Sequence, residues 1–157
     1  MTPFQRRVLL PAVGVLLVAC GGAEGVDEGV ETDAPAASSA PRDALAKFAG
    51  TWQVRARNEV GDSLPSHTIT ATGDTTGWTL GFPNREPIPM RILDASGDLV
   101  IAETQPYESV LRPGVRVTVL YFTRVHGDST SGRLVAMYDV DGANAILRGY
   151  TEGVRQR

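Results

Sequence analysis

The sequence is poor in cysteine. Cys20 is the only cysteine among the 157 residues, so no disulfide can form within the chain. A domain without disulfides must be stabilised by the packing of its apolar side chains. The 116 residues that begin at Arg42 are enough for one domain with its own core.

An excess of basic residues is also missing. Five of the 18 acidic residues lie in residues 21–41 and two of the 15 basic residues precede that segment, so residues 42–157 carry 13 of each sign. Domains that bind nucleic acid carry Lys and Arg in excess, clustered on one face. The charge balance therefore argues against DNA or RNA as a partner.

Motifs of catalytic and metal-binding sites are lacking as well. His67 and His126 belong to no zinc-ligand spacing, and we interpret them as solvent-exposed residues at strand ends rather than as ligands together with Asp128. The sequence contains neither a Gly-x-Ser-x-Gly elbow nor a phosphate-binding glycine loop. Carboxylate pairs such as Glu103 with Glu108 are typical of solvated positions beside turns. We expect no enzymatic activity, no catalytic residue, no metal and no cofactor.

No apolar run is long enough to span a membrane. Arg6 and Arg7 precede an uncharged run from Val8 to Ala19, which is the order of a secretory signal peptide. A transmembrane helix needs about 20 apolar residues, whereas this run has 12 and contains a proline and a glycine. Residues 1–19 are therefore predicted to be a cleavable signal peptide.

The segment Leu17-Val18-Ala19-Cys20-Gly21 resembles the lipobox of bacterial lipoproteins. The resemblance implies a diacylglyceryl group on the Cys20 sulfur, cleavage before Cys20, and acylation of the new amine with a fatty acid such as palmitate. Two or three acyl chains anchor a protein stably to a membrane. Because Gly21 rather than Asp follows the cysteine, the resemblance implies an outer-membrane location if the host has one. The alternative is an ordinary cysteine at the end of the apolar run.

Residues 20–41 are predicted to be the lipidated cysteine and a flexible acidic tether. They contain five acidic and no basic residues and are otherwise mostly Gly, Ala, Ser, Pro and Val. Such a segment buries too little apolar surface to fold. We interpret it as a spacer that lifts the domain of residues 42–157 from the membrane, and a spacer of arbitrary length is the alternative.

The sequence after Gly50 is typical of successive strands, and residues 43–48 before it favour a short helix. Gly and Asp residues between the apolar runs suit antiparallel turns. The predicted strands are residues 51–58, 66–72, 77–82, 88–94, 99–104, 115–125, 133–140 and 145–152.

Alternation within these strands predicts one buried face. Trp52, Val54 and Ala56 alternate with polar residues in the first strand. An antiparallel meander of eight strands leaves two open edges, and closure into a barrel removes them. We therefore predict an all-β fold, a small antiparallel up-and-down barrel of about eight strands, with an open sandwich as the alternative.

The segment Phe48-Ala49-Gly50-Thr51-Trp52 is a short turn followed by Gly-Thr-Trp at the start of the first strand. It resembles the opening of the calycins, which include lipocalins, fatty-acid-binding proteins and avidin-like barrels. The resemblance covers this motif and the number of strands. It implies a lipocalin-like barrel in which Trp52 packs at the closed end beneath an arginine from near the last strand, either Arg148 or Arg155.

An eight-stranded barrel is either filled by side chains or holds one small ligand. Residues 106–114 form a long connection, which is either a lid over a site or a loop that fills the barrel end. The candidate ligand-binding residues are five aromatic residues and one arginine: Trp78, Phe82, Tyr107, Arg112, Tyr121 and Tyr138. The predicted function is binding of a small apolar or amphiphilic ligand by a membrane-anchored lipoprotein. The alternative is a non-catalytic structural or protein-interaction module of the cell envelope with a filled core and an unknown protein partner.

Overall fold

The computed structural model of the protein describes residues 40–157. The predicted signal peptide of residues 1–19, the lipidation site Cys20 and the tether as far as residue 39 lie outside the described residues. No helix in the described range has the length and apolar character needed to cross a bilayer.

The described chain consists of one short helix, nine strands and one 3₁₀ turn. The elements are α1 (Ala40–Ala46), β1 (Gly50–Asn58), β2 (Ser63–Ala71), β3 (Thr79–Gly81), β4 (Ile88–Ser96), β5 (Leu99–Thr104), β6 (Tyr107–Glu108), β7 (Arg116–His126), β8 (Ser129–Tyr138), the 3₁₀ turn Ala143–Ala145 and β9 (Ile146–Arg155).

Eight of the strands close into an antiparallel up-and-down barrel. The strands β1 to β5 pair in sequence order, β5 pairs with β7, and β7 to β9 pair in order. The pairing of β9 with β1 closes the barrel. The predicted fold, an all-β up-and-down barrel of eight antiparallel strands preceded by a short helix, is confirmed. Closure leaves neither end of the meander as an open edge, which removes a site of unwanted strand pairing.

The short strand β6 continues along the edge of β7 that β5 occupies. Glu103 of β5 pairs with Leu120, and further along the same edge Tyr107 pairs with Val117 and Glu108 with Arg116. This strand lies inside the connection predicted for residues 106–114, so the sequence did not indicate it.

β2 begins at Ser63, three residues before the predicted start. The register between β1 and β2 shifts so that Pro65 and Ser66 together face Arg55 in a bulge. Proline lacks the N–H that a regular ladder requires, and a bulge is one of the few sheet positions that accept it. The bulge therefore allows β2 to extend beyond Pro65.

β8 begins at Ser129, four residues before the predicted start. The first residues of this strand are polar, which hid the strand, although Thr130 is buried and fits the alternation. His126 pairs with Ser129 across the two residues Gly127 and Asp128. Gly127 has φ +62°, which glycine adopts without a steric penalty. The turn thus fixes where β8 begins. The bounds of β5 are as predicted, the other strand bounds differ from the prediction by at most three residues, and α1 starts three residues earlier than predicted.

One end of the barrel is closed by residues from α1 and the turn after it. Leu45 and Phe48 are fully buried there, and the Phe48 ring lies 5.9 Å from the Trp78 ring. Trp52 donates its indole N–H to the Phe48 carbonyl oxygen at 2.7 Å. Burying each large apolar side chain contributes about 1.5–3 kcal/mol, so this end holds a large share of the core.

Arg155 of β9 lies over Trp52 at the closed end. Its guanidinium carbon is 4.2 Å from the centroid of the indole, and its N–H groups donate to the carbonyl oxygens of Ala49 and Lys47. It also forms an ion pair of 3.1 Å with Asp128. Of the two arginines considered for this position, Arg155 therefore occupies it, whereas Arg148 is exposed on the outer face of β9.

Candidate functional site

The barrel interior contains a cavity of about 50 Å³ near the mouth, the end where β1 finishes and β7 begins. Side chains of β1, β2, β7, β8 and β9 form its wall, and the loop between β6 and β7 covers it. Pockets for drug-sized molecules measure about 300–1,000 Å³, and one water needs about 10–15 Å³. The cavity in this conformation therefore accommodates a few waters or a ligand with few heavy atoms.

His67 of β2 is a buried polar residue in the cavity wall, with 3% of its surface exposed. Its Nδ1 lies 3.1 Å from the carbonyl oxygen of Pro65, and its Nε2 lies 3.2 Å from the hydroxyl of Tyr121. A carbonyl oxygen can only accept, so the ring proton of neutral His67 is on Nδ1 and Nε2 is an acceptor. Burial lowers the pKa of His67, and the hydrogen bond to Pro65 opposes that shift. His67 is therefore neutral at pH 7.

The direction of the hydrogen bond to His67 determines what Tyr121 offers to the cavity. Because Nε2 is an acceptor, the Tyr121 hydroxyl donates its hydrogen to His67. The oxygen of Tyr121 then keeps its lone pairs for another donor. Burial first, and the neighbouring Tyr107 second, raise the pKa of Tyr121 well above its usual value. Tyr121 thus stays protonated and presents an acceptor inside the barrel.

Tyr107 belongs to β6 and lines the same cavity. Burial raises its pKa to about 12, with a further contribution from Tyr138 and an opposing one from Arg85. The hydroxyls of Tyr107 and Tyr138 have no hydrogen-bond partner within residues 40–157. The site therefore combines the protonated phenols of Tyr107 and Tyr121 with the neutral imidazole of His67.

Aromatic rings form a continuous series along the wall. The ring of His67 lies 5.8 Å from that of Tyr121 and 5.7 Å from that of Phe82. Phe82 in turn lies 6.0 Å from Tyr107. These distances and the tilted or edge-on orientations are those that aromatic pairs prefer. The remaining lining is mostly aliphatic, so the cavity is apolar apart from the imidazole and the hydroxyls.

Residues 109–114, here called the mouth loop, cover the cavity. Ser109 is buried, and its hydroxyl oxygen accepts the N–H groups of Leu111 and Arg112, both at 3.1 Å. The Glu108 carboxylate accepts the N–H of Gly114 at 3.1 Å. Val110 and Leu111 face the cavity and still expose 37% and 45% of their surface. The loop is ordered by its own hydrogen bonds and rests on the barrel through two partly exposed apolar side chains.

Arg112 attaches the mouth loop to the neighbouring strand β8 and to the turn that follows it. Its guanidinium lies 4.0 Å from the centroid of the Tyr138 ring and donates to the carbonyl oxygen of Asn144 at 2.6 Å. Glu108, at the other end of the same segment, contacts Gly114 of the mouth loop. Arg112 therefore links the loop to the 3₁₀ turn between β8 and β9.

The structure brings five of the six candidate ligand-binding residues to the mouth. Four line the cavity and Arg112 lies on its rim over Tyr138; the four are Phe82, Tyr107, Tyr121 and Tyr138. Trp78 is separate, since it lies at the closed end against Phe48 and donates to the carbonyl oxygen of Asp74 at 2.8 Å. A second internal cavity of about 20 Å³ beside Trp78 is smaller still.

The expectation of an exposed His67 is wrong. His67 lies inside β2, in phase with the inward-facing Ile69 and Ala71. That alternation was visible in the sequence, but the predicted strand began at Ser66 and placed His67 at a strand end. Ser109 was not among the predicted site residues, because nothing in the sequence of a proline-containing loop distinguishes a buried serine from an exposed one.

The histidines do not meet in one site. His126 is exposed at the hairpin between β7 and β8, and Asp128 of that hairpin is engaged by Arg155. Within residues 40–157, no three His, Cys, Asp or Glu side chains lie in an arrangement that could hold a metal ion. Glu103 is paired with Arg91 at 2.5 Å rather than with Glu108.

Comparison with known proteins returned no match. No family model, no curated protein and no solved structure matches the chain. The class of protein therefore rests on its fold, an eight-stranded antiparallel barrel with a small covered cavity at its mouth.

Proposed function

We propose that the protein is a membrane-anchored lipoprotein of the cell envelope, that its lipocalin-like barrel binds a small apolar or amphiphilic ligand at the mouth, and that it is not an enzyme. The observation that carries the binding proposal is the hydrogen bond between Tyr121 and His67. This bond turns the lone pairs of a buried phenol oxygen away from the imidazole and leaves them for a ligand.

The hydrogen-bonded pair of His67 and Tyr121 is unusual in the wall of an apolar cavity. Burying polar groups costs free energy unless they are hydrogen-bonded, and replacing both partners by apolar groups of similar shape is often nearly neutral. His67 and Tyr121 therefore add little that a pair of apolar side chains could not supply for stability. A pocket that is mainly apolar with a few placed polar groups is the usual form of a small-molecule site.

The protonation states indicate which polar group a ligand carries. His67 is neutral and the phenols of Tyr107 and Tyr121 are protonated at pH 7. Within residues 40–157, no Arg, Lys, Asp or Glu lines the cavity, and the guanidinium of Arg112 lies only on its rim. A charged ligand group inside would therefore lose its water without gaining an opposite charge, which is costly. The cavity therefore suits a neutral donor such as a hydroxyl or an amide, attached to an apolar body.

The present cavity is smaller than a typical ligand, and movement of the mouth loop would enlarge it. Val110 and Leu111 are the parts of the roof that solvent already reaches. Their displacement joins the cavity of about 50 Å³ to the outside. A ligand with more than a few heavy atoms enters with this displacement.

Support for the anchor comes from the lipobox resemblance at Cys20 and from the acidic segment after it. A chain held by acyl groups at Cys20 would place the barrel at a membrane surface of the envelope, the outer membrane in a host that has two. The absence of catalysis is supported by His67, since both of its ring nitrogens are already hydrogen-bonded within the barrel.

Native mass spectrometry tests the binding proposal directly. The full chain is purified from host envelopes in a mild detergent, alongside Tyr121→Phe and the matched Tyr150→Phe, whose ring is exposed outside the barrel. We expect a molecule of constant mass to be released from the wild type and Tyr150→Phe and to be depleted in Tyr121→Phe. Empty protein in every preparation would contradict the proposal.

The alternative is an interaction module with a filled core. It is favoured by the small interior cavities and by three apolar residues that point outward from β9: Ile146, Tyr150 and Val154 expose 47%, 52% and 62% of their surface. A photo-crosslinker at position 154 would then capture one protein partner in cells. The same group at Val60, in the turn between β1 and β2, is the control. Failure to capture any reproducible partner at position 154 would count against this alternative.

A further inference from the structure

The outer face of β7, β8 and β9 contains a groove of about 610 Å³, lined by residues of these strands together with Leu99 and Glu59. It lies outside the barrel, whereas the mouth cavity lies inside. Its volume falls within the range of about 300–1,000 Å³ that is typical of small-molecule sites. We call it the outer groove.

The floor of the outer groove includes the backbone of Gly132 and Gly149. A Cβ atom on Gly132 would overlap the carbonyl oxygen of Phe122, and one on Gly149 would overlap that of Arg57. Neighbouring strands therefore approach closely at both glycines, and neither position accepts a side chain. The floor of the outer groove is therefore formed by closely packed backbone.

Three arginines lie on a diagonal across the outer groove, one from each strand. Arg124 of β7 is opposite Ser131, Arg133 of β8 is opposite Phe122, and Arg148 of β9 is opposite Val135. From one arginine to the next, the position changes by one strand across the sheet and by two residues along the strand direction. Such diagonal neighbours are about 7–8 Å apart, so the long side chains can reach one anionic group together.

The outer groove has an excess of positive charge. Arg124 is paired with Asp98 at 2.6 Å. Arg133 and Arg148 form no ion pair with any residue in 40–157, and Glu59 is the one acidic residue in the lining. Two guanidinium groups are therefore available on this face.

Aromatic rings flank the central arginine. Arg133 is directly opposite Phe122 on one side and Tyr150 on the other. Its guanidinium carbon is 5.9 Å from the centroid of the Tyr150 ring. Across the three strands, Arg133 therefore lies between two aromatic residues, and Leu99 contributes a further apolar surface.

We propose that the outer groove binds a phosphate-bearing amphiphile, with the phosphate on Arg133 and Arg148 and the apolar body on Phe122 and Tyr150. Guanidinium groups bind phosphate oxygens through paired N–H donors and stack on flat rings. The two sources of such a group are a phospholipid headgroup and a soluble phosphate ester. This site is independent of the ligand proposed for the mouth.

The experiment titrates the full chain, held in a nonionic detergent, with two probes by calorimetry and NMR. Phenyl phosphate represents a soluble ester, and dihexanoyl phosphatidylglycerol represents a lipid headgroup. Inorganic phosphate lacks the apolar body and serves as the reference. We expect saturable binding that is tighter for at least one probe than for inorganic phosphate and that weakens with added salt. The preferred probe identifies the source.

Variants connect binding to the groove. Arg133→Gln and Arg148→Gln should each weaken binding roughly tenfold, and Arg133→Lys should also weaken it because the paired donors are lost. Arg116→Gln, on β7 outside the groove, is the matched control with the same loss of charge. Tyr121→Phe inside the barrel should leave the affinity unchanged. No saturable binding of either probe, or equal affinities of the wild type and the Arg133→Gln/Arg148→Gln double variant, would overturn the proposal.

Discussion

The Tyr121 hydroxyl lies 3.2 Å from Nε2 of His67, and the two side chains belong to β7 and β2 on different sides of the barrel. The carbonyl oxygen of Pro65 determines the direction of this bond, because it holds the imidazole proton on Nδ1. The bulge that contains Pro65 thus sets what the cavity can recognise. A proline in β2, which obscured the start of the strand in the sequence, has a structural role at the site.

Acid should destabilise the barrel through His67. Its pKa is lowered in the folded state by burial, so the unfolded chain binds more protons below the ordinary value of about 6.5. Stability is then full above about pH 6.5 and falls as the pH drops towards the lowered pKa. We expect thermal unfolding between pH 7 and pH 5 to show this loss in the wild type and a smaller loss in His67→Gln.

His126→Gln is the matched control for this measurement, since it removes an exposed histidine. It should retain the acid sensitivity of the wild type. Equal pH dependence of His67→Gln and the wild type would show that protonation of His67 does not limit stability.

Alkali should act through the buried phenols. Burial raises the pKa of Tyr107 to about 12 and raises the pKa of Tyr121 well above its usual value. A group with a raised pKa in the folded state contributes stability that is present below its unfolded pKa of about 10 and is lost as the pH rises above it. Tyr107→Phe should therefore resist unfolding above pH 10 better than the wild type, as followed by circular dichroism. Tyr150→Phe, outside the barrel, should behave as the wild type does.

Much of the fold could be predicted from the sequence, because alternation is regular in β1 and in residues 78–82 around β3, and Gly and Asp residues punctuate the turns. The departures have local causes. A bulge in β2 accommodates Pro65. The turn at Gly127 determines where the polar first residues of β8 begin to pair. The strand β6 has only two residues and is too short to show an alternating pattern. Edge positions and bulges depend on a partner strand, which a single sequence does not specify.

The candidate site was partly predictable for a similar reason. Aromatic residues such as Phe82 and Tyr107 are natural candidates for lining a cavity, and they do meet at the mouth. Trp78 has the same chemistry but lies at the closed end, because the level of a residue along the barrel axis depends on the register. Neither the hydrogen bond of His67 nor the outer groove follows from composition, since both depend on residues brought together from different strands.

Loss of Trp52 should be the most damaging single change at the closed end. It is 2% exposed, donates to Phe48 and lies under Arg155. Trp52→Ala removes a large buried aromatic side chain and should lower the free energy of unfolding by about 3 to 5 kcal/mol. Denaturant titration measures this value. Tyr150→Ala should change it by less than about 0.5 kcal/mol, as exposed positions usually do.

The contact between Arg155 and Trp52 can be separated from simple burial. A double-mutant cycle of Arg155→Gln with Trp52→Phe should give a coupling energy of about 0.5–1 kcal/mol, as expected for a partly exposed cation over an aromatic ring. A coupling energy of zero would mean that Arg155 acts through its hydrogen bonds to Lys47 and Ala49 alone.

Arg112 should control how often the mouth loop opens. Arg112→Ala removes the hydrogen bond to Asn144 and the contact with Tyr138. One such hydrogen bond is worth about 1 kcal/mol, so the amides of the mouth loop, residues 109–114, should exchange roughly fivefold faster in hydrogen exchange. Arg133→Ala should leave their exchange unchanged. Faster exchange throughout the barrel would instead indicate global destabilisation.

Replacement of the cysteine tests the proposed anchor. Cys20→Ser removes the thiol that the lipobox resemblance assigns to the diacylglyceryl group, and the signal segment should then remain uncut because processing follows lipidation in that class of protein. The variant should migrate as a larger, unacylated precursor. Its distribution between membrane and soluble fractions should also change, since the acyl chains are the proposed membrane anchor. Fractionation with mass measurement of the N-terminal peptide distinguishes the forms, and Ser38→Ala in the tether is a control that keeps Cys20. A Cys20→Ser protein that is cleaved normally and retained in the membrane fraction would rule out lipidation as the anchor.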